Sequence, residues 1–92
     1  MSFAELKAFD ALARLGGFVK AAEALGRTQP TITMQLQQLE RGYGVELLMR
    51  NRGRVIGLTP LGEKLHTITK HIIALLDNIA RMQSNPNLNL AV

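Results

Sequence analysis

Apolar positions recur along the chain in blocks, and the spacing within each block tells which element it builds. Leu6, Phe9, Leu12 and Ala13 stand at helical intervals, so one face of this segment packs inward. Ser2 ahead of Glu5 forms a capping box that opens the first helix at Phe3, and Gly16 and Gly17 supply its end. Phe18 to Leu25 reads as a short second helix, with alanines at 21, 22 and 24 that let a neighbour approach closely and Gly26 as its stop. Thr28 is then an N-cap, and Pro30 falls in a first turn, where a missing N–H is no loss. Ile32, Leu36 and Leu39 give this third helix an apolar stripe that runs to about Tyr43, before Gly44.

After Val45 the texture changes. The stretch LLMRNRGRVIGL places two short apolar runs around Asn51 to Arg54, with Gly53 able to take the positive φ of a tight turn; it predicts a small β-hairpin. Thr59, Pro60 and Glu63 open a last helix that nothing interrupts until SNPN at 84–87, some two dozen residues on. Within it Leu61, Leu65, Ile68, Ile72, Leu75, Ile79 and Met82 follow one another at steps of four and three, a heptad seam. Such a seam would stay wet in a monomer, so it predicts pairing with a second copy. Ile73 and Leu76 widen the stripe toward the helix's own domain. The closing LNLAV reads like the opening of a strand whose partner lies in a further domain. The expected division is therefore 1–58, the long helix at 59–83, and a hinge at 84–92.

Two helices joined by a tight glycine turn, with a hairpin behind them, predict a mainly α fold: a winged helix-turn-helix. With Ile32 pointing inward and 100° per residue, Pro30, Met34, Gln37 and Gln38 point outward and Thr31 and Thr33 flank them. No charge occurs from Thr28 to Leu39. Glutamine can pair bidentately with adenine, and threonine offers a hydroxyl and a methyl group, so this face suits base edges in a major groove. Met34 could meet a thymine methyl. Phosphate attraction falls to Arg50, Arg52 and Arg54 in the hairpin, with Lys20, Arg27 and Arg41 around them. Thr28 and the free N–H groups that follow it offer further donors to phosphate. A glutamine and threonine face also suits plain solvation, and a basic hairpin suits an edge strand guarded by charge. The agreement of turn, face and hairpin on one surface favours DNA; a protein-interaction module built on the long helix is the alternative.

Composition narrows the rest. The chain has 92 residues, 47% of them hydrophobic and 20% charged, with a net charge of +4: one folded domain of marginal core that leans toward an anionic partner. Absence of cysteine excludes disulfides, thiolate metal sites and cysteine nucleophiles, and fits the cytoplasm. Glu5 and Asp10 interrupt any secretory leader, and the longest apolar run, Ile72 to Leu76, is too short to span a membrane. His66 and His71, five apart, do not share a helix face, so two solvated histidines and no metal are expected. No nucleophile with its base, phosphate loop or cofactor motif points to an enzyme.

The ordered series Phe18, Ala21, Ala22; Thr28, Gln29, Pro30; Leu39, Glu40; Gly44, Val45; Leu58, Thr59 and Gly62 resembles the N-terminal DNA-binding domain of LysR-type transcriptional regulators, over about Phe3 to Met82. The resemblance implies that Gln29, Pro30, Thr31 and Thr33 meet bases or phosphates and that wing arginines reach the backbone or minor groove. It also implies paired linker helices, a homodimer on a pseudo-palindromic promoter site of double-stranded DNA, and room for a tetramer in a full-length protein. Any small-molecule effector would belong to a C-terminal domain absent from this sequence. Met34 and Gln37 depart from the family, which often has arginine at both places.

Overall fold

The computed structural model describes residues 1–52, 54–84 and 87. Its elements are α1 (Phe3–Leu15), α2 (Phe18–Leu25), α3 (Gln29–Tyr43), β1 (Leu48–Asn51), β2 (Arg54–Leu58) and α4 (Pro60–Ser84), the winged helix-turn-helix that the spacing predicts. The Ser2 hydroxyl accepts the Glu5 N–H at 3.2 Å, and the Thr28 hydroxyl accepts the Thr31 N–H at 3.3 Å, each satisfying an orphan donor at a helix start. Gly26 ends α2 with φ of 64°, where its N–H returns to Ala22 and Glu23 carbonyls. That left-handed turn reverses the chain within two residues and sets α3 across α2.

α1 lies at the centre. Phe9 and Leu12 from α1, Ala21 from α2, and Ile32, Leu36 and Leu39 from α3 are all fully or almost fully buried with Leu47. Each large member contributes about 1.5–3 kcal/mol by leaving water. Ala21 and Ala22 contribute through smallness: both are buried, and they admit α1 and α3 close to the α2 backbone. The hairpin is antiparallel, pairing Leu48 with Leu58 and Asn51 with Arg54, with an irregularity between Met49 and Arg50. Asn51 pairs with Arg54, and Arg52 just after β1 has φ of 53°. The positive φ expected of Gly53, and the expected strand-like ending of the chain, lie outside the described residues.

Thr59 joins wing to long helix. Its hydroxyl accepts the Gly62 N–H at 3.0 Å and donates to the Glu46 carbonyl at 2.8 Å, while its N–H donates to the Leu47 carbonyl at 3.1 Å. α4 packs along α1 through Leu65 and Ile72, half-buried against the core, and through Thr69, fully buried with its hydroxyl on the Leu65 carbonyl. Leu61, Ile68, Leu75, Ile79 and Met82 remain exposed. The apolar stripe is thus divided. Leu65 and Ile72 lean about 20–40° to one side of Leu61, toward the core, whereas Ile68, Leu75 and Met82 lean about 20–60° to the other. Ile73 and Leu76, expected to touch the domain, are half-buried too. Among the described residues, no helix is long and apolar enough to cross a membrane.

Candidate nucleic-acid interface

α3 owes its free face to its buried one. Ile32, Leu36 and Leu39 are sunk in the core, and the rotation they impose leaves Gln29, Pro30, Met34, Gln37 and Gln38 exposed, with Thr31 and Thr33 half-buried at the edges. Gln29, Pro30, Thr33, Met34 and Gln37 line one shallow depression. The Thr28 and Thr31 hydroxyls stand 2.9 Å apart and pin the first turn, with Pro30 at its start. This is a rigid, uncharged surface of donors, acceptors and one apolar tip, the chemistry that base edges can match.

Positive charge is arranged around it less simply than the sequence indicates. Arg52 and Arg54 are exposed, and neither enters an ion pair among the described residues. Arg54 shares a groove with Lys20 and Gln29, bounded by Gly16 to Val19 at the start of α2, a convergence that no local pattern could reveal. Gly17, with no side chain to offer, caps α2, and Phe18, Val19 and Lys20 of its first turn line the same groove. Arg41 is exposed as well. Arg27 is not a free flanking charge: its Nη1 donates to the Ala4 carbonyl at 3.1 Å and to Gln35 Oε1 at 2.8 Å. It ties the helix-turn-helix to α1.

Arg50 differs from its neighbours in the wing. Its Nη2 donates to Glu40 Oε1 at 2.9 Å, and its guanidinium lies 5.7 Å from the centre of the Phe18 ring. The other oxygen of Glu40 accepts the Leu47 N–H at 2.8 Å. Both contacts link residues distant in sequence, although the Leu39–Glu40 pair that closes the recognition helix marks the spot. The expectation of two solvated histidines fails for His66, which is half-buried against α1 with Nε2 2.8 Å from Asp10 Oδ1; His71 is exposed. Among the described residues, no three histidine or acidic side chains gather as metal ligands do.

A sequence model described as bacterial regulatory helix-turn-helix protein, lysR family, matches residues 3–63. The HTH-type transcriptional activator CmpR of Synechocystis sp. is 41% identical over 75 residues, 82% of this chain and 24% of its own length. The HTH-type transcriptional regulator CbbR of Rhizobium meliloti is 42% identical over 83 residues, 86% of this chain and 26% of its own. The chain thus spans about a quarter of the length of these relatives, which are transcriptional regulators rather than enzymes. The crystal structure of the CbnR DNA-binding domain with DNA superimposes with a TM-score of 0.81 at 33% identity, covering 96% of this chain and all of that one.

Proposed function

This chain belongs to the lysR family of bacterial regulatory helix-turn-helix proteins, and on that premise we propose that it binds double-stranded DNA sequence-specifically as a dimer. Its winged helix-turn-helix is a DNA-binding domain of the LysR type. α3 enters the major groove and presents Gln29, Pro30, Thr31, Thr33, Met34, Gln37 and Gln38 to base edges, while Thr28 and its neighbouring N–H groups approach phosphate. Arg52 and Arg54, joined by Lys20, hold the sugar-phosphate backbone or the adjoining minor groove. The observation that carries this reading is the juxtaposition of an uncharged exposed helix face with Arg52 and Arg54, which enter no ion pair among the described residues.

Leu61, Ile68, Leu75, Ile79 and Met82 form the contact with a second copy, and Leu65 and Ile72 contribute their outer edges. Two-fold pairing presents two recognition helices to a pseudo-palindromic promoter site. In a whole regulator of the relatives' length, further assembly to a tetramer and response to a small effector would belong to the remaining three quarters. Its place of action is the cytoplasm, where the DNA lies.

Salt dependence tests the proposal directly. Neutralising each phosphate contact by alanine at Arg52 and Arg54 should flatten the salt dependence of duplex binding by about 0.9 per residue, with dimer formation unchanged in sedimentation. A chain whose affinity ignores salt, or which selects no sequence from a random library, is not a specific DNA binder.

A further inference from the structure

Arg50 carries a role that its charge does not suggest. It stands on β1 directly after the irregularity in the hairpin register. Its guanidinium bridges the Glu40 carboxylate at the end of α3 and the Phe18 ring at the start of α2. Glu40 simultaneously holds the Leu47 N–H, one residue before β1 begins. One guanidinium and one carboxylate therefore connect three elements at the root of the wing. Glu40 is the sheltered member, with side-chain exposure of 12% against 34% for Arg50, so salt screens the pair less than two fully solvated charges. The extended guanidinium reaches the carboxylate through Nη2 while its carbon stands over the ring, and the compact point charge of a lysine ammonium has no second nitrogen to divide between the two.

We infer that Arg50 is a positioning residue that, with Glu40 and Phe18, fixes the wing relative to the recognition helix, and that it is not a phosphate contact. This rests on the DNA-binding reading above and narrows it to Arg52 and Arg54. A guanidinium held by a carboxylate is not available to neutralise a phosphate, so it displaces no cation from the DNA. Its contribution is geometric: the wing and α3 must reach one duplex together, and a wing held in place beforehand loses less freedom on binding.

Counterion release supplies a readout that loosened packing does not move. Binding to a random-sequence duplex, and to a duplex that the wild-type chain selects from a random library, is followed across a salt series. Arg52→Gln should flatten the salt slope by about 0.9. Arg50→Gln should keep the wild-type slope on both duplexes while weakening the selected one roughly tenfold. Arg50→Lys should leave the selected duplex similarly weakened. An Arg50→Gln slope that falls as far as that of Arg52→Gln, or full recovery of affinity in Arg50→Lys, overturns the inference. Without DNA, the Leu47 amide should exchange its hydrogen roughly tenfold faster in Arg50→Gln and at the wild-type rate in Arg52→Gln; equal rates in the two variants overturn it too. If the wild-type chain binds neither duplex, the DNA reading falls by itself, and the exchange rates alone decide the role of Arg50.

Discussion

His66 Nε2 on α4 lies 2.8 Å from Asp10 Oδ1 on α1, and the His66 ring meets the Phe9 ring edge to face, centroids 5.6 Å apart at 77°. Asp10 also accepts from Arg14 Nε at 2.9 Å, so a carboxylate that is 11% exposed is shared by two helices. This is a polar fastening between the long helix and α1. Replacing His66 by alanine leaves that carboxylate one partner short and opens space beside Phe9. The expected loss is about 1–3 kcal/mol, read as a lower urea midpoint at unchanged slope. His71→Ala, on the exposed side of the same helix, should stay within about 0.5 kcal/mol. Equal midpoints for the two variants would show the fastening to be inert.

Gly62 is buried in the first turn of α4, and a Cβ there would collide with the Leu47 carbonyl oxygen. The obstacle is backbone already tied to the Thr59 N–H, so it cannot yield as a flexible side chain would. Gly62→Ala should destabilise the fold by about 1–3 kcal/mol despite the better helix propensity of alanine. Chemical denaturation checks the sign: a gain in stability would mean that α4 can slide off the wing without penalty.

Arg52 sits in the hairpin turn with a left-handed backbone, which a β-carbon disfavours. Asparagine tolerates that conformation better, so Arg52→Asn should raise stability by roughly 0.5–1 kcal/mol. The same change removes a free cation and should flatten the salt slope of duplex binding by about 0.9. Opposite signs in thermal melting and DNA titration distinguish this site from an ordinary surface arginine; a variant that loses both stability and binding would contradict the conformational argument.

The two edges of the α4 stripe should separate by function. Ile68 is 56% exposed and faces away from the core, so Ile68→Lys should abolish dimer formation while changing the stability of the isolated domain by about 0.5 kcal/mol or less. Leu65 packs on the core, so Leu65→Ala should lower domain stability by about 2 kcal/mol or more. Sedimentation equilibrium together with denaturation of dilute protein reads both effects. Loss of folding in Ile68→Lys, with dimer retained in Leu65→Ala at full stability, would reverse the assignment of the edges.

Most of the fold was legible along the chain. Ser2, Thr28 and Thr59 announce three helix starts, and Gly16, Gly26 and Gly44 stand at three helix ends, because caps act within a few residues of the backbone they satisfy. The rotation of α3 was legible for a related reason. Ile32, Leu36 and Leu39 set its inward direction at helical spacing, and Pro30, Met34, Gln37 and Gln38 follow on the exposed side.

The charges were less legible. Arg27, Arg50, Arg52 and Arg54 look alike in sequence, yet Arg27 is engaged by Ala4 and Gln35 and Arg50 by Glu40 and Phe18, while Arg52 and Arg54 stay unpaired among the described residues. Nothing local separates them, since their partners come from other elements. His66 and the divided α4 stripe follow the same rule, because a helix whose apolar face spans two directions needs a neighbour to choose between them.

By itself, then, the sequence determined the helices, the hairpin and the uncharged exposed face of α3, all of which rest on periodicity and capping between residues close in the chain. Tertiary structure alone decided which arginines stay unpaired among the described residues, which histidine meets Asp10, and which edge of the long helix stays exposed. Those outcomes depend on side chains from separate elements meeting within about 3–4 Å, a distance that only the packed fold defines.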